Sequence, residues 1–352
     1  MPLRLDLGFM TFDLPEVAAY ARRAEELGAG ALWSAETKHD PFLPLAVAAA
    51  NTSRIQLGTA IAVAFPRSPM ILAHTAWDLQ HASGGRFVMG LGTQVKAHNE
   101  RRFSLTWEPP GPRLREVVLA LRAIWRCWQD GGPLNFRGES YRFDLMTPFF
   151  NPGPIEHPHI PIYIAAVNPY MARMAGEICD GLHVHSFHSP KYLREVIHPA
   201  VEAGLARSGR SRKGFTFRAS TMVVLGDTPE ELERSRRAVK QQIAFYASTR
   251  TYQAVLAVHG LDHLVPRLHA KSLEGDWQGM ADLISDETLD HFAVTATWET
   301  LAERLRARYD GICDRTQLYP AFQPSLEEPR LQALVREMNR QPGVASGPTA
   351  PR

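Results

Sequence analysis

The chain has 352 residues, enough for one large domain or two ordinary ones and for a substantial core. Its 45% hydrophobic and 22% charged residues exclude intrinsic disorder and fibrous repeats. Lys+Arg 39 against Asp+Glu 37 gives a net charge of +2 with the basic residues scattered, which excludes the electrostatic footprint of a nucleic-acid binder.

Three cysteines, Cys127, Cys179 and Cys313, stand far apart with no C-x-x-C pair, so neither a disulfide framework nor a thiolate zinc site is suggested. The start MPLRLDLGFM lacks the pattern of a secretory signal, and no stretch reaches the roughly 18 apolar residues of a membrane span. The expectation is a cytoplasmic protein with no membrane partner.

In chain order, apolar β-branched runs are predicted as strands at Leu3 to Met10, Ala31 to Ala35, Ile55 to Phe65 and Arg86 to Gly92. Between the first two, LPEVAAYARRAEELG sets Val17, Ala21, Ala24 and Leu27 on one helical stripe and ends on Gly28, a left-handed cap. Further strands are predicted at Ile160 to Val167, Gly181 to Phe187, Phe215 to Leu225 and Thr316 to Phe322. Eight strands alternating with helices, near-continuously apolar and with no composition break at mid-chain, fit a TIM (β/α)8 barrel better than two Rossmann halves.

Such a barrel uses about 250 residues, so the remainder must be insertions and a tail. One insertion is predicted near 131–160, where Leu134 to Phe143 reads as a hairpin before a proline-rich run, and a second, mostly helical, over 247–297. The tail 341–352 lacks apolar content and is expected to be disordered.

Gly90-Leu91-Gly92 invites a dinucleotide fingerprint, but the third glycine would fall at Val95 and no helix opens there. The glycines instead suit a barrel strand closely approached by a ligand or neighbour. His183 and His185 lie two apart in a strand and so face one side, where they could converge on a metal; a satisfied core pair or the lining of an organic site is the competing reading. Glu36-Thr37-Lys38-His39-Asp40 follows the second strand at the carboxyl rim, where barrel enzymes keep their chemistry. His39 could exchange a proton there and Glu36 orient it, unless the loop is merely solvated. Asn168-Pro169-Tyr170 follows the fifth strand and opens a helix, either as an anion site for a phosphate or as an ordinary N-cap.

Taken together, ARRAEELGAGALWSAE, RIQLGTAIAVAF, MILAHTAWDLQHASGGRFVMGLGT and PIYIAAVNPYMARMAGEICDGLHV resemble, nearly end to end, the bacterial luciferase-like monooxygenase superfamily in its coenzyme F420-dependent branch. The resemblance implies a TIM barrel with an isoalloxazine-type ring resting on a bulge in the third strand, with a non-proline cis peptide that maps to Ala60-Ile61. It also implies cofactor contacts from the loop after the fourth strand (Thr93, Gln94, and Asn99 or His98) and a phosphate turn at Ala166, Val167, Asn168, Pro169 and Tyr170. Rim arginines such as Arg67 and Arg101 would meet the anionic tail. The lysine that grips phosphorylated sugar in glucose-6-phosphate dehydrogenase relatives falls near His188, so that substrate is not expected.

The expected function is hydride transfer between F420 and a small organic substrate, with His39 exchanging the proton and Glu36 assisting. The alternatives are an FMN-dependent monooxygenase of the same barrel and a metal-dependent hydrolase using His183 and His185. Relatives are often dimers, so a homodimer is expected, in an actinobacterial host suggested by the arginine-rich, lysine-poor composition.

Overall fold

The computed structural model describes residues 2–9, 13–319 and 324–340. Eight strands form a barrel: β1 (Arg4–Gly8), β2 (Ala31–Ser34), β3 (Gln56–Thr59), β4 (Phe87–Gly92), β5 (Ile162–Ala166), β6 (Gly181–Val184), β7 (Thr216–Leu225) and β8 (Arg315–Leu318). Each pairs in parallel with the next, and β8 pairs with β1 from Arg4 opposite Arg315 to Asp6 opposite Gln317, so the ring closes and every strand is satisfied on both sides. This is the TIM barrel expected from the sequence. The first helix, Leu14–Glu26, buries Val17, Ala21 and Ala24 as its spacing requires, and Gly28 follows it at φ 80°.

The strands are mostly apolar on the face that meets the helices, and the barrel interior combines a small cluster of Ala31, Trp33, Val88 and Tyr163 with charged groups. Asp6 is fully buried; it accepts from Arg315 Nε (2.9 Å) and Nη2 (2.7 Å) and from Trp33 Nε1 (2.8 Å). Arg218 lies 4.9 Å over the Trp33 ring and donates to Gln317. These groups are hidden in the sequence because nothing local signals that Asp6, Arg218, Arg315 and Gln317, from three different strands, meet inside the ring. A buried charge persists only when paired, and the two-donor grip of Arg315 on Asp6 ties β8 to β1 at the seam of the ring.

The third strand departs from the predicted continuous run. It stops at Thr59 and resumes as Ala62–Val63, which pairs with Leu91 and Gly92 of β4. Between them the Ala60-Ile61 peptide is cis, where the resemblance placed it. Across this bulge the Thr59 hydroxyl replaces the backbone ladder: it donates to the Gly90 carbonyl (2.6 Å) and accepts from the Gly90 N–H (2.9 Å). A Cβ at Gly90 would lie 1.7 Å from the Thr59 carbonyl oxygen, and one at Gly92 would lie 2.6 Å from Ile61 Cδ1. The two glycines therefore serve the close approach of a neighbouring strand.

Residues 247–297 are not helical to their end. Ala293–Ala296 is a strand paired in parallel with Met222 to Leu225. The reason lies in β7, ten residues long, whose neighbours β6 and β8 cover only residues 216–221 and leave the backbone of its last turn to be paired by a further strand. In the earlier insertion, Phe136–Arg137 pairs antiparallel with Arg142–Phe143. The hairpin is docked by Glu116, whose carboxylate accepts from the N–H groups of Glu139 (2.8 Å), Ser140 (2.9 Å) and Tyr141 (3.1 Å). The tail 341–352 and residues 320–322, the end of the predicted eighth strand, lie outside the described residues.

Two predictions follow from this packing. Gly90→Ala should lower the urea midpoint sharply, by at least the roughly 1–3 kcal/mol typical of overpacking, because its Cβ meets backbone rather than a flexible side chain; an unchanged midpoint would contradict the packing of the bulge. The second concerns pH. Burial holds His183 well below the ordinary histidine value and His188 down to about 3. Below about pH 6.5 the unfolded chain binds protons at both sites that the folded chain refuses, so stability is complete above that pH and falls as pH drops. Urea unfolding between about pH 7 and about pH 5 should show uptake of about two protons from this pair, each about 1.4 kcal/mol per pH unit.

Candidate active site

The carboxyl ends of the strands open on loops that lock to one another. After β2, the Glu36 side chain turns toward the bulge: Oε2 accepts from the Val63 N–H (2.7 Å) and from Arg67 Nη1 (2.7 Å), while the Glu36 N–H donates to the Ile61 carbonyl (3.0 Å). Arg67 is held in turn by Asp40 (2.9 Å) and by the Val63 carbonyl (3.1 Å). Desolvation opposes its charge, but the hydrogen bonds and fields of the two carboxylates outweigh it and raise its pKa. Glu36 is thus a strut of the bulge, with its 6% exposed side chain committed to Arg67 and Val63. Arg67, expected to meet a cofactor tail, is already neutralised by two carboxylates. His39 lies exposed on the same loop, which Arg102 pins to the loop after β4 through the Thr37 carbonyl.

After β4 the chain passes through Thr93 and Gln94, the latter left-handed at φ 56°, and enters the short helix Lys96–Arg101. Of the two residues that could reach inward, Asn99 is buried and His98 exposed. The Asn99 amide donates to the Thr93 carbonyl (3.0 Å) and the Val95 carbonyl (3.0 Å), which fixes the loop and leaves its buried Oδ1 with no partner. The buried Ser34 hydroxyl, at the end of β2, is likewise unpartnered, and the Ser34 carbonyl accepts from Ala60 N–H (2.7 Å).

After β5, Ala166 ends the strand and the Val167 carbonyl accepts from the Tyr192 hydroxyl (2.8 Å). Asn168 caps the helix Pro169–Ile178, its side chain accepting from the Met171 N–H (3.0 Å) while its carbonyl takes the Ala172 N–H (3.1 Å). Pro169 has no N–H, so only the Tyr170 amide of the first turn is left for an anion. The turn is an N-cap, with the Tyr170 N–H the first-turn amide that the cap does not take.

His183 and His185 do not converge on a metal. His183 packs edge-on against Trp33 (5.0 Å) and Tyr163 (5.4 Å) inside the barrel, whereas His185 sits among Phe187, Tyr246 and Tyr252 above it. Among the described residues no group of three metal-ligating side chains occurs, and no helix is long and apolar enough to cross a membrane. Sequence reasoning missed Arg67 as a strut and the tyrosines Tyr246, Tyr252 and Tyr319. The tyrosines come from segments whose arrival at the mouth depends on tertiary folding, and no local spacing signals it.

The residues present fit a planar ring. Ala60 and Ile61 are half-buried at the bulge, and the loops after β2 and β4 that flank it are held by Glu36 and Asn99.

The luciferase-like monooxygenase family matches over residues 3–315. An uncharacterised protein of Mycobacterium tuberculosis is 47% identical over 326 residues, covering 93% of this chain and 95% of that one. The 5,10-methylenetetrahydromethanopterin reductase of Archaeoglobus fulgidus is 30% identical over 298 residues, 82% of this chain and 85% of that one. Among solved structures, the coenzyme F420-dependent tetrahydromethanopterin reductase of Methanopyrus kandleri superposes with a TM-score of 0.77 at 22% identity, covering 97% of this chain and 98% of that one. With a barrel, a bulged third strand and a match that spans nearly all of its described length, the chain belongs to the luciferase-like monooxygenase family.

Proposed function

We propose that the protein is an F420-dependent oxidoreductase acting on a small organic substrate. The observation that carries this reading is the half-buried Ala60-Ile61 bulge at the carboxyl mouth, where the third strand breaks between Thr59 and Ala62. The methanopterin reductases that resemble the chain support the choice of cofactor, the solved one being named as F420-dependent.

A reduced deazaflavin held at this bulge would supply a hydride. The chain supplies position and electrostatics. Ala60 and Ile61 would carry the ring, and Asn99, which fixes the loop after β4, would hold that loop beside it. The Tyr170 N–H would donate to one phosphate oxygen at the start of the helix that follows β5. Glu36 and Arg67 keep the bulge in place by holding Val63, so Glu36 acts as a positioning residue. His39, exposed on the loop beside them, exchanges the accompanying proton with solvent at an imidazole nitrogen.

Fluorescence-quenching titration should show F420 binding at least about ten times more tightly than FMN, a difference of about 1.4 kcal/mol. FMN retained through purification with no quenching of F420 would contradict the reading. With any substrate that changes the redox state of F420, His39→Ala should lower turnover by about 10² to 10⁴ while F420 affinity moves far less; unchanged turnover would remove His39 from the reaction.

A further inference from the structure

Strands β6, β7 and β8 stand opposite β3 in the ring. Beyond their carboxyl ends four polar rings gather: His185 just after β6, Tyr319 just after β8, and Tyr246 and Tyr252 around the end of the helix Pro229–Ala247 that follows β7. His185 stacks on Tyr252 (centroids 4.7 Å apart, 28° between planes) and meets Tyr246 edge-on (4.7 Å, 85°). The Tyr246 and Tyr319 hydroxyls are 2.8 Å apart and hydrogen-bond to each other.

The hydrogen bonds of His185 fix where its proton lies. The Phe187 N–H donates to Nδ1 (3.1 Å), so Nδ1 is an acceptor and the neutral ring carries its hydrogen on Nε2. Burial holds this histidine down to about 4, which keeps it neutral near pH 7. Nε2–H faces the Tyr252 hydroxyl at 3.1 Å and donates to its oxygen. The phenolic proton of Tyr252 is therefore left to donate elsewhere, and among the described residues it has no acceptor. Burial and the neighbouring Tyr246 raise the pKa of Tyr252, with no carboxylate or cation contributing, so it remains a protonated donor in a neutral wall.

We propose that Tyr252 anchors an uncharged substrate through its carbonyl oxygen, with His185 as the positioning residue that orients the hydroxyl. The inference deepens the oxidoreductase reading and rests on it. A lone O–H donor selects an acceptor oxygen, and a wall of rings without a cation disfavours a phosphate or carboxylate, whose desolvation nothing there would repay. An aromatic or cyclic ketone or aldehyde satisfies both demands: its oxygen meets the hydroxyl and its apolar body lies against Tyr246 and Tyr252. The role is one of binding and orientation, and no proton transfer is asked of Tyr252.

The test uses acetophenone labelled with ¹³C at the carbonyl, added to the full-length protein with and without oxidised F420. Donation by Tyr252 should move the carbonyl resonance downfield on binding. Tyr252→Phe should abolish that shift and weaken acetophenone about five- to tenfold, the size expected for one neutral hydrogen bond. His185→Phe keeps a stackable ring but removes the Nε2–H, so it should reduce the shift without abolishing it, which a purely structural role would not do. No downfield shift in the wild type, an equal shift in Tyr252→Phe, or tighter binding of benzoate or phenyl phosphate than of acetophenone would each overturn the proposal. Quenching of F420 on the same samples separates the two claims: loss of F420 binding in the wild type sinks the cofactor reading, while the carbonyl shift is still read without cofactor.

Discussion

The arrangement of the mouth depends on how the third strand breaks. At Thr59 the backbone ladder with β4 is replaced by a side chain, whose hydroxyl serves the N–H and the carbonyl of Gly90 at once. The strand can then leave the barrel surface, expose Ala60 and Ile61, and rejoin β4 at Ala62 without leaving those groups of Gly90 unpaired. Each neighbouring feature has a use in that light. Gly90 and Gly92 leave space for the displaced strand, Glu36 seizes the Val63 N–H on its far side, and Arg67 ties Glu36 to Asp40. A buried carboxylate would be costly alone, and the guanidinium with the backbone donor offsets that cost.

The rest of the barrel supplies rigidity. Asp6, Arg315, Trp33, Arg218 and Gln317 form a polar layer within the ring, where each charge is matched or stacked. Above that layer the mouth divides into two unlike walls. One, on β2 to β5, is built from loops, small side chains and unpartnered oxygen atoms. The other, beyond β6 to β8, is built from aromatic rings and histidines that burial keeps neutral. A planar cofactor against the first wall leaves the second for the substrate, and the neutrality of the second limits what that substrate can be.

Much of this was legible in the sequence. Near-continuous apolar runs and the helical stripe of Val17, Ala21 and Ala24 indicate strands, helices and their alternation because burial leaves a local pattern. The cis peptide at Ala60-Ile61 came through resemblance alone, since nothing in the spacing of TAIAVAF requires it. Local reading was weaker wherever a residue's partner lies far along the chain. Glu36 reads in the sequence as the residue that orients His39, with no sign of the hydrogen bonds from Val63 and Arg67 that hold it at the bulge; Asn168 caps its helix and leaves fewer amides for an anion than the motif alone suggests. The strand Ala293–Ala296 escaped notice because its reason for existing is the uncovered end of β7, more than sixty residues earlier. Tyr252 gains its meaning only from His185, 67 positions away.

A crystal structure of the protein soaked with oxidised F420 tests the central claim most directly. The deazaflavin ring is expected in van der Waals contact with the Ala60-Ile61 peptide, its open face turned toward Tyr252. A ring bound elsewhere on the barrel, or one stacked on the Tyr246–Tyr252 wall with the Ala60-Ile61 bulge left bare, would contradict the claim.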